Sequence, residues 1–420
     1  VSEPDFYDEI YHGKKYKTHR DKWYNLDFLG DGLAFTLDHD VHAMRRQALS
    51  PYFSMQAIRT LEPRITDVVQ QMIDRLHEAH RSGAVLILGH VFAALTVDIV
   101  SAYAFGEENS TKLMQDPEFG RWWSDLTSSV RLNNFGRHFR LAIRLLMTIP
   151  ASIMARTDPM LARFMDWQTS LEKQVHRAMD ESAEDKSNAG MRTVFHELIN
   201  SDLPPQDRSV PRLRDEASMV IGAGGETTAQ ALTRTFYHLL VNPQFLRRLR
   251  EELKSAMPDP KEMPSLAMLQ NLPYLNAVVE EGVRISFPVA ARSPRVFEDH
   301  ALQLGEWTIE PGTSISMSPY MVTMSEKIFP EPFKFQPDRW LGNKELRKYQ
   351  VTFGKGKRVC LGQSLAYAEL LFGIAMIVRN FELELYETTW DDVELVHDFF
   401  IAMPKLGSNG VRVKVVRELS

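Results

Sequence analysis

The ten residues Phe353–Gly362, FGKGKRVCLG, hold the only cysteine in a chain of 420 residues. One sulfur among glycines and positive charge admits a phosphate cradle, a nucleophile or a metal ligand. A P-loop needs Ser or Thr straight after Gly-Lys, and here Arg358 follows Gly356-Lys357. The third glycine of a G-x-G-x-x-G turn is also misplaced. A nucleophile needs a histidine brought near by the fold, and it leaves the glycines and the arginine unused. A structural zinc site needs several Cys and His ligands. The bland alternative is a buried free thiol.

The surroundings favour a ligand. Gly354, Gly356 and Gly362 let the backbone approach something flat, and Arg358 offers a fixed charge to a carboxylate. An apolar helix, Gln363 to Val378, begins just after Cys360, and a helix N-terminus stabilises a thiolate. This is the setting of a thiolate iron ligand beneath a porphyrin. Phe353, Gly356, Arg358, Cys360 and Gly362 resemble the F-x-x-G-x-R-x-C-x-G haem-binding signature of the cytochrome P450 family.

Three further constellations bear on that resemblance. VIGAGGETT (Val220–Thr228) places two adjacent glycines inside a helical pattern, at roughly 1 kcal/mol each against alanine. A kink or a close helix crossing would also use them. Ala223, Gly224, Gly225, Glu226 and Thr227 match the family's A-G-x-[DE]-T pattern. By resemblance the glycines open a groove for dioxygen over the haem, Thr227 steadies the oxygen and Glu226 relays protons. Glu281 and Arg284 share a helix face, a weak motif alone. With Arg339 of FKFQPDRW they resemble the family's buried charge triad, which holds the segment before the cysteine loop.

In HAMRR, His42 and Arg46 lie one helical turn apart, where the family usually carries W-x-x-x-R on a propionate. Histidine replaces tryptophan and keeps a ring N–H. The neighbouring His39, Asp38 and Asp40 suit a helix start better than a metal site. Arg292 and Arg295 of ARSPR are candidates for the second propionate, with Arg295 favoured and Arg292 still open. The family order of these matches is kept along nearly the whole chain.

The elements that must position these groups are mainly helical. Apolar residues recur at three- and four-residue spacing over His42–Leu49, Ala57–His77, Val91–Tyr103, Met160–Met179, Arg212–Leu240, Pro243–Met257 and Tyr274–Ile285. Extended pieces cluster at Ala301–Met317 around a Pro311-Gly312 turn, and again near Phe381–Tyr386 and Val411–Val416. Glu181–Gly190 reads as a polar surface loop. The fold expected is one domain over residues 1–420, mainly α with a small antiparallel β region inserted late, in the cytochrome P450 manner. Ala84–Phe105 is the one candidate membrane span. Gly89, His90 and Asp98 interrupt it, so a short strand followed by a buried helix is the expectation.

Composition narrows the partners. A formal charge of −6 disfavours nucleic acid, and a single cysteine forms no intramolecular disulfide, which suits a reducing compartment. The opening VSEPDFYDEIY is acidic, lacks an apolar run and has no methionine, so a missing leading segment is expected.

The resemblance implies a monooxygenase with haem b held by Cys360, using dioxygen and electrons from NADPH through a cytochrome P450 reductase. No flavin or iron–sulfur pattern is visible in the chain. Lys355, Lys357, Arg347 and Lys348 form either a docking patch for the reductase or a solvated surface. The opening stretch and VHDFFIAMPKLGSNGVRV resemble fungal members of secondary metabolism, which implies an N-terminal anchor on the cytosolic face of the endoplasmic reticulum. Pocket walls are expected from Leu26–Phe35, Val220, Ala223, Val289, Ala290, Ala291 and Phe399–Met403 with Ile401. These are mostly apolar and suit a hydrophobic small molecule or an ordinary core. Two alternatives stand beside monooxygenation: a reductase-independent rearrangement or dehydration, and a haem sensor without turnover.

Overall fold

A computed structural model describes residues 2–11, 16–22, 30–123, 132–146, 148–184 and 193–420. Helix α1 (His39–Leu49) starts at Asp38, whose carboxylate accepts the Asp40 and Val41 backbone N–H groups. Asp38 therefore acts as the cap that its position suggests, while the Asp40 carboxylate pairs with Lys17 at 2.7 Å. Helix α2 (Met55–Ser82) is capped by Ser54 and ends on the left-handed Gly83. Helix α3 (Leu88–Phe105) is buried on nearly every side and follows the strand β2 (Val85–Ile87). It is apolar and long enough to cross a membrane, yet most of it lies inside the protein. Asp98 does not break it. Its buried carboxylate accepts from Thr111 Oγ1 and the N–H groups of Leu113 and Met114, so it caps the next turn.

Three short helices, α4 (Leu132–His138), α5 (Arg140–Leu146) and α6 (Ala151–Met154), lead to α7 (Pro159–Glu184). The first residues of the expected loop at Glu181 are thus helical, and 185–190 lie outside the described residues. Helix α8 (Val210–Val241) runs through the centre, followed by α9 (Pro243–Ala256), α10 (Pro273–Ser286) and α11 (Gln363–Asn380). Most long helices extend the periodic segment beneath them, because caps lie outside the apolar stripe, while Pro243–Ala256 ends one residue short of its segment.

The crossing of α8 on α3 is the tightest in the core. Thr96 Oγ1 donates to the Gly225 carbonyl at 2.7 Å, and Phe92 stacks on Phe236 with centroids 5.3 Å apart. A Cβ on Gly225 would lie 2.3 Å from Val97 Cγ2, and one on Gly224 would lie 3.1 Å from Val100 Cγ2. The adjacent glycines therefore serve a close helix approach.

The β structure is antiparallel but less local than expected. Strands β1 (Thr18–Arg20), β3 (Arg295–Phe297) and β6 (Ser314–Ile315) form one sheet in the order β1-β3-β6. Strand β2 pairs with β10 (Arg412–Glu418), which pairs with β7 (Phe381–Leu385). Two hairpins, β4 (Leu302–Leu304) with β5 (Trp307–Ile309) and β8 (His397–Phe399) with β9 (Ile401–Met403), complete it. Two strands come from the first quarter of the chain, so the β region is not wholly a late insertion. Three residues are too few for a period-two pattern to show.

Gly225→Ala should lower the urea unfolding free energy by about 1–3 kcal/mol through overpacking against Val97. Gly222→Ala in the same helix, where an added Cβ meets no protein atom, should gain up to about 1 kcal/mol. Equal effects of the two substitutions would remove the crossing argument.

Candidate active site

The cysteine loop is built by two left-handed glycines, Gly354 at φ 73° and Gly356 at φ 68°, where a side chain would be strained. The turn returns so that the Cys360 N–H donates to the Phe353 carbonyl at 2.8 Å. Phe353 packs against Tyr367 with centroids 5.3 Å apart. Cys360 is accessible at its own surface while protein crowds it closely. Desolvation pushes its thiol up, opposed by the Gly362 N–H and by Arg46. Metal coordination would remove that proton.

Around this loop the fold gathers cations. A cavity of about 280 Å³ is lined by His39, His42, Arg46, Arg295, Lys357 and Arg358, together with small and uncharged groups and no carboxylate. Arg358 donates to the carbonyls of Thr36 at 2.7 Å and Leu37 at 3.0 Å, which staples the loop to the start of α1. Arg46 donates to the Val359 carbonyl at 2.7 Å. Burial, then Arg20 and Arg295, pull the Arg358 guanidinium down to about 8. Burial, then Arg358 and Arg20, drive His42 down to about 2.

Arg295 is buried in this cluster, whereas Arg292 is exposed and absent from the lining. The structure therefore gathers Arg295 and leaves Arg292 outside. Arg20 was not expected. It stands directly across from Arg295 in the β1–β3 register, and only that long-range pairing reveals it.

A group with carboxylates and an open iron position fits these residues. The donor set offers one sulfur and several cations converging on a cavity whose lining residues include no carboxylate. An added Cβ at Gly222, Gly354 or Gly362 would meet no protein atom, so these backbones can be approached closely. The residues fit haem.

On α8 the acid and alcohol are tied in different directions. Thr227 Oγ1 donates to the Ala223 carbonyl at 2.8 Å. Glu226 Oε1 accepts from Gln230 Nε2 at 2.8 Å. Gly224 departs from the expected groove: the space left by its missing side chain is taken up by Val100 of α3, so it is assigned to helix packing. Gly222, one turn position earlier, has the open approach instead.

Sequence reasoning missed Glu369. Its carboxyl is wholly buried on α11, hydrogen-bonded to Thr228, and burial holds its pKa well above the ordinary carboxyl range. Its Oε1 has no partner. An acid inside the apolar run SLAYAELLFGIAMIV was the available signal.

Glu281, Arg284 and Arg339 do meet. Arg284 grips the Glu281 carboxylate through Nε at 2.8 Å and Nη2 at 2.7 Å, both residues fully buried. Arg339 Nε lies 3.3 Å from Oε1 as an ion pair, its hydrogen bonds going to carbonyls including that of Pro330. Trp340 Nε1 and the Gln336 N–H, both at 2.9 Å, complete the shell.

The surface lysines are partly engaged. Lys355 pairs with Asp8 at 2.5 Å, Lys348 lies 3.9 Å from Asp5, and Lys357 approaches His39 Nε2 at 3.3 Å. Among the pocket expectations, Val289 and Ile401 are bridged directly, and the Ala402 N–H donates to the Pro288 carbonyl. Val220 and Ala290 pack on the main core, and Ala291 is buried. Residues 26–29 of the expected Leu26–Phe35 wall lie outside the described residues.

A helical body with small antiparallel sheets, a cysteine at a helix N-terminus and a cationic recess define a haem-thiolate class of protein. The comparisons agree: the Cytochrome P450 family model matches residues 1–406. The chain is 38% identical to cytochrome P450 monooxygenase tpcC of Cochliobolus heterostrophus, covering 99% of this chain and 82% of that protein. It is 36% identical to tryptophan 6-hydroxylase fscE of Fusarium equiseti, over 100% of this chain and 82% of that one. Cytochrome P450 monooxygenase claJ of Penicillium crustosum is 35% identical over 99% and 96%. This chain belongs to the cytochrome P450 family and is an oxidoreductase of its monooxygenase kind.

Glu281→Ala leaves two buried arginines without their acid and should cost about 3–5 kcal/mol. The purified variant should lack haem by absorbance, and a stable, haem-loaded variant would count against the triad. Glu369 gives a pH signature. Its raised folded pKa supplies stability in full below its ordinary value of 4.5, lost as pH climbs toward the folded value. The unfolding free energy of Glu369→Gln minus wild type should therefore rise between acid and neutral pH. A constant difference in urea titrations would refute a protonated Glu369.

Proposed function

We propose that the chain is a haem-thiolate monooxygenase that oxidises a hydrophobic small molecule, an intermediate of fungal secondary metabolism, with electrons delivered from NADPH by a separate reductase. The observation that carries the reading is the single thiol set beside a buried recess of cations. Haem, when bound, supplies dioxygen activation at an iron made electron-rich by the thiolate.

The chain's own residues do the rest. Cys360 ligates the iron, positioned by the Phe353 carbonyl and by the start of α11. Arg46, Arg295 and Arg358, with Arg20 and His42 beside them, hold the propionates. His42 is neutral in the protein and serves as a hydrogen-bonding ring rather than a charge. Thr227, Glu226 and Ala223 form the distal wall, with the Thr227 hydroxyl aligned by the Ala223 carbonyl. Glu369 on α11 stores a proton at its buried carboxyl, one hydrogen bond from Thr228 of α8. An acid kept protonated beside the Thr228 hydroxyl suits chemistry that consumes protons. Val289, Ala290 and Ile401, with Val220 on α8, supply apolar walls.

The reductase assignment rests on the lack of a flavin or iron–sulfur pattern and on Lys357, Arg347 and Lys348 near the cysteine side. Lys355 contributes less, because Asp8 neutralises it. An anchor on the cytosolic face of the endoplasmic reticulum belongs to the same reading.

The reduced, haem-loaded protein with carbon monoxide should show a Soret band shifted far to the red, and Cys360→Ser should abolish it. Product formation should require NADPH and reductase. Turnover without them would favour rearrangement chemistry, and haem binding without turnover across a broad compound library would favour a sensor.

A further inference from the structure

One cation of the central helix is used by none of the chemistry above. Glu226, Gln230 and Arg234 recur at four-residue spacing, so they share one face of α8. Arg234 is buried, and both ends of its guanidinium reach away from the helix. Nη1 donates to the Ser286 carbonyl at the end of α10, and Nη2 donates to the Ala402 carbonyl of β9 at 3.1 Å. Burial pulls the guanidinium down to about 9, and the charge opposing that shift is Glu226. Arg234 is therefore a cation at neutral pH, buried among carbonyls. A long apolar side chain would fill the same space at lower cost. What it could not do is donate in two directions from one rigid fork.

The two carbonyls belong to the segments that carry the apolar wall. The Ala402 N–H donates to the Pro288 carbonyl at 2.9 Å, and Val289 bridges Ile401. Arg234 thus grips both partners of one small pairing, to which the half-buried Val289, Ala290, Ile401 and Met403 belong. The backbone of that pairing is strained. Phe287 has φ 22° and stands between Ser286, whose carbonyl Arg234 holds, and Pro288, whose carbonyl Ala402 holds. Phe400, between β8 and β9, has φ 81°. The turn is fastened by Asn133 Nδ2 on the Phe399 carbonyl at 3.0 Å, and Arg234 fastens the strand that follows. Left-handed backbone at a bulky residue persists only where its surroundings over-determine it, and such strain collects at ligand clamps.

We propose that Arg234 is a positioning residue for the substrate: its fork locks residues 286–291 and β9 against α8 and so sets the shape of the apolar wall. The inference rests on the haem-thiolate reading, in which that wall faces the iron. Arg234 touches no reacting atom. It acts through Val289, Ala290, Ile401 and Met403, which receive an apolar part of the substrate.

The test uses the haem-loaded chain and two probes that coordinate ferric haem, imidazole and 4-phenylimidazole. Only the second carries a ring that can press on the wall. In Arg234→Met the ratio of their association constants, 4-phenylimidazole over imidazole, should fall about tenfold in spectral titrations, the low end of what one pocket contact is worth. Arg234→Lys, whose ammonium lacks the fork, should fall part of the way. Arg379→Met is the matched control, because Arg379 is also buried and donates to the Met257 and Pro258 carbonyls at 2.8 and 2.7 Å. It should keep the wild-type ratio. Hydrogen exchange supplies a readout that needs no ligand. In both Arg234 variants the Ala402 amide should exchange about tenfold faster, the worth of roughly one hydrogen bond, with the amides of α11 unchanged.

The proposal is overturned if the ratio holds or rises in both Arg234 variants, or if Arg379→Met lowers it as much. It is also overturned if Ala402 exchange stays at the wild-type rate or if exchange quickens uniformly along the chain. A haem-loaded wild type without the red-shifted carbon monoxide band would sink the haem-thiolate reading instead, and the exchange rates would still decide the positioning role. Should Arg234→Met fail to fold, Arg234→Lys, which keeps the charge, decides the ratio.

Discussion

The carboxylate of Glu281 is the point on which the cysteine side of the molecule hangs. It has no solvent, and it collects two guanidinium groups, an indole N–H and a backbone N–H from residues spread between 284 and 340. A charge so buried is tolerated only when every partner is present. The partners come from α10 and from the irregular stretch that ends just before the cysteine loop. That stretch has little regular hydrogen bonding of its own, and the ionic hub substitutes for it. Thr352 Oγ1 to the Val283 carbonyl and Gln350 Nε2 to the Glu280 carbonyl continue the fastening along the same helix.

A second constraint acts from the other side. Arg20, Arg46, Arg295 and Arg358 converge although like charges repel, burial makes the repulsion stronger, and His42 beside them stays neutral. Backbone carbonyls at Thr36, Leu37 and Val359 take up part of the strain. The remainder is electrostatic energy that an anionic ligand relieves. Cofactor binding and stability are coupled through that relief, since whatever binds the folded state alone stabilises it.

Much of this was legible before any coordinates. In FGKGKRVCLG the spacing removed the phosphate loop and the resemblance to the haem-binding signature supplied the ligand reading, while the long helices followed from periodicity because one face of each is buried. What stayed hidden depends on contacts between distant residues. Arg20 belongs to no motif and joins the cluster only through the β1–β3 register. Glu369 sits in an apolar run, where its acid is visible, but its contact with Thr228 of another helix is not. The glycines of GAGGETT divided in a way that spacing alone cannot show: Gly224 and Gly225 turn toward α3, while Gly222 faces open space. Setting Arg292 aside in favour of Arg295 likewise needed burial, because both carry the same charge three residues apart.

The staple between Arg358 and the carbonyls at the start of α1 joins residues 320 positions apart. On a ribosome adding about 5–20 residues per second, the first partner waits on the order of 15–60 seconds for the second. For nearly all of that interval the segment bearing His42 and Arg46 is made but cannot close its recess. The site therefore closes long after its first half is made, and the nascent chain must keep its early cations soluble until the cysteine loop arrives.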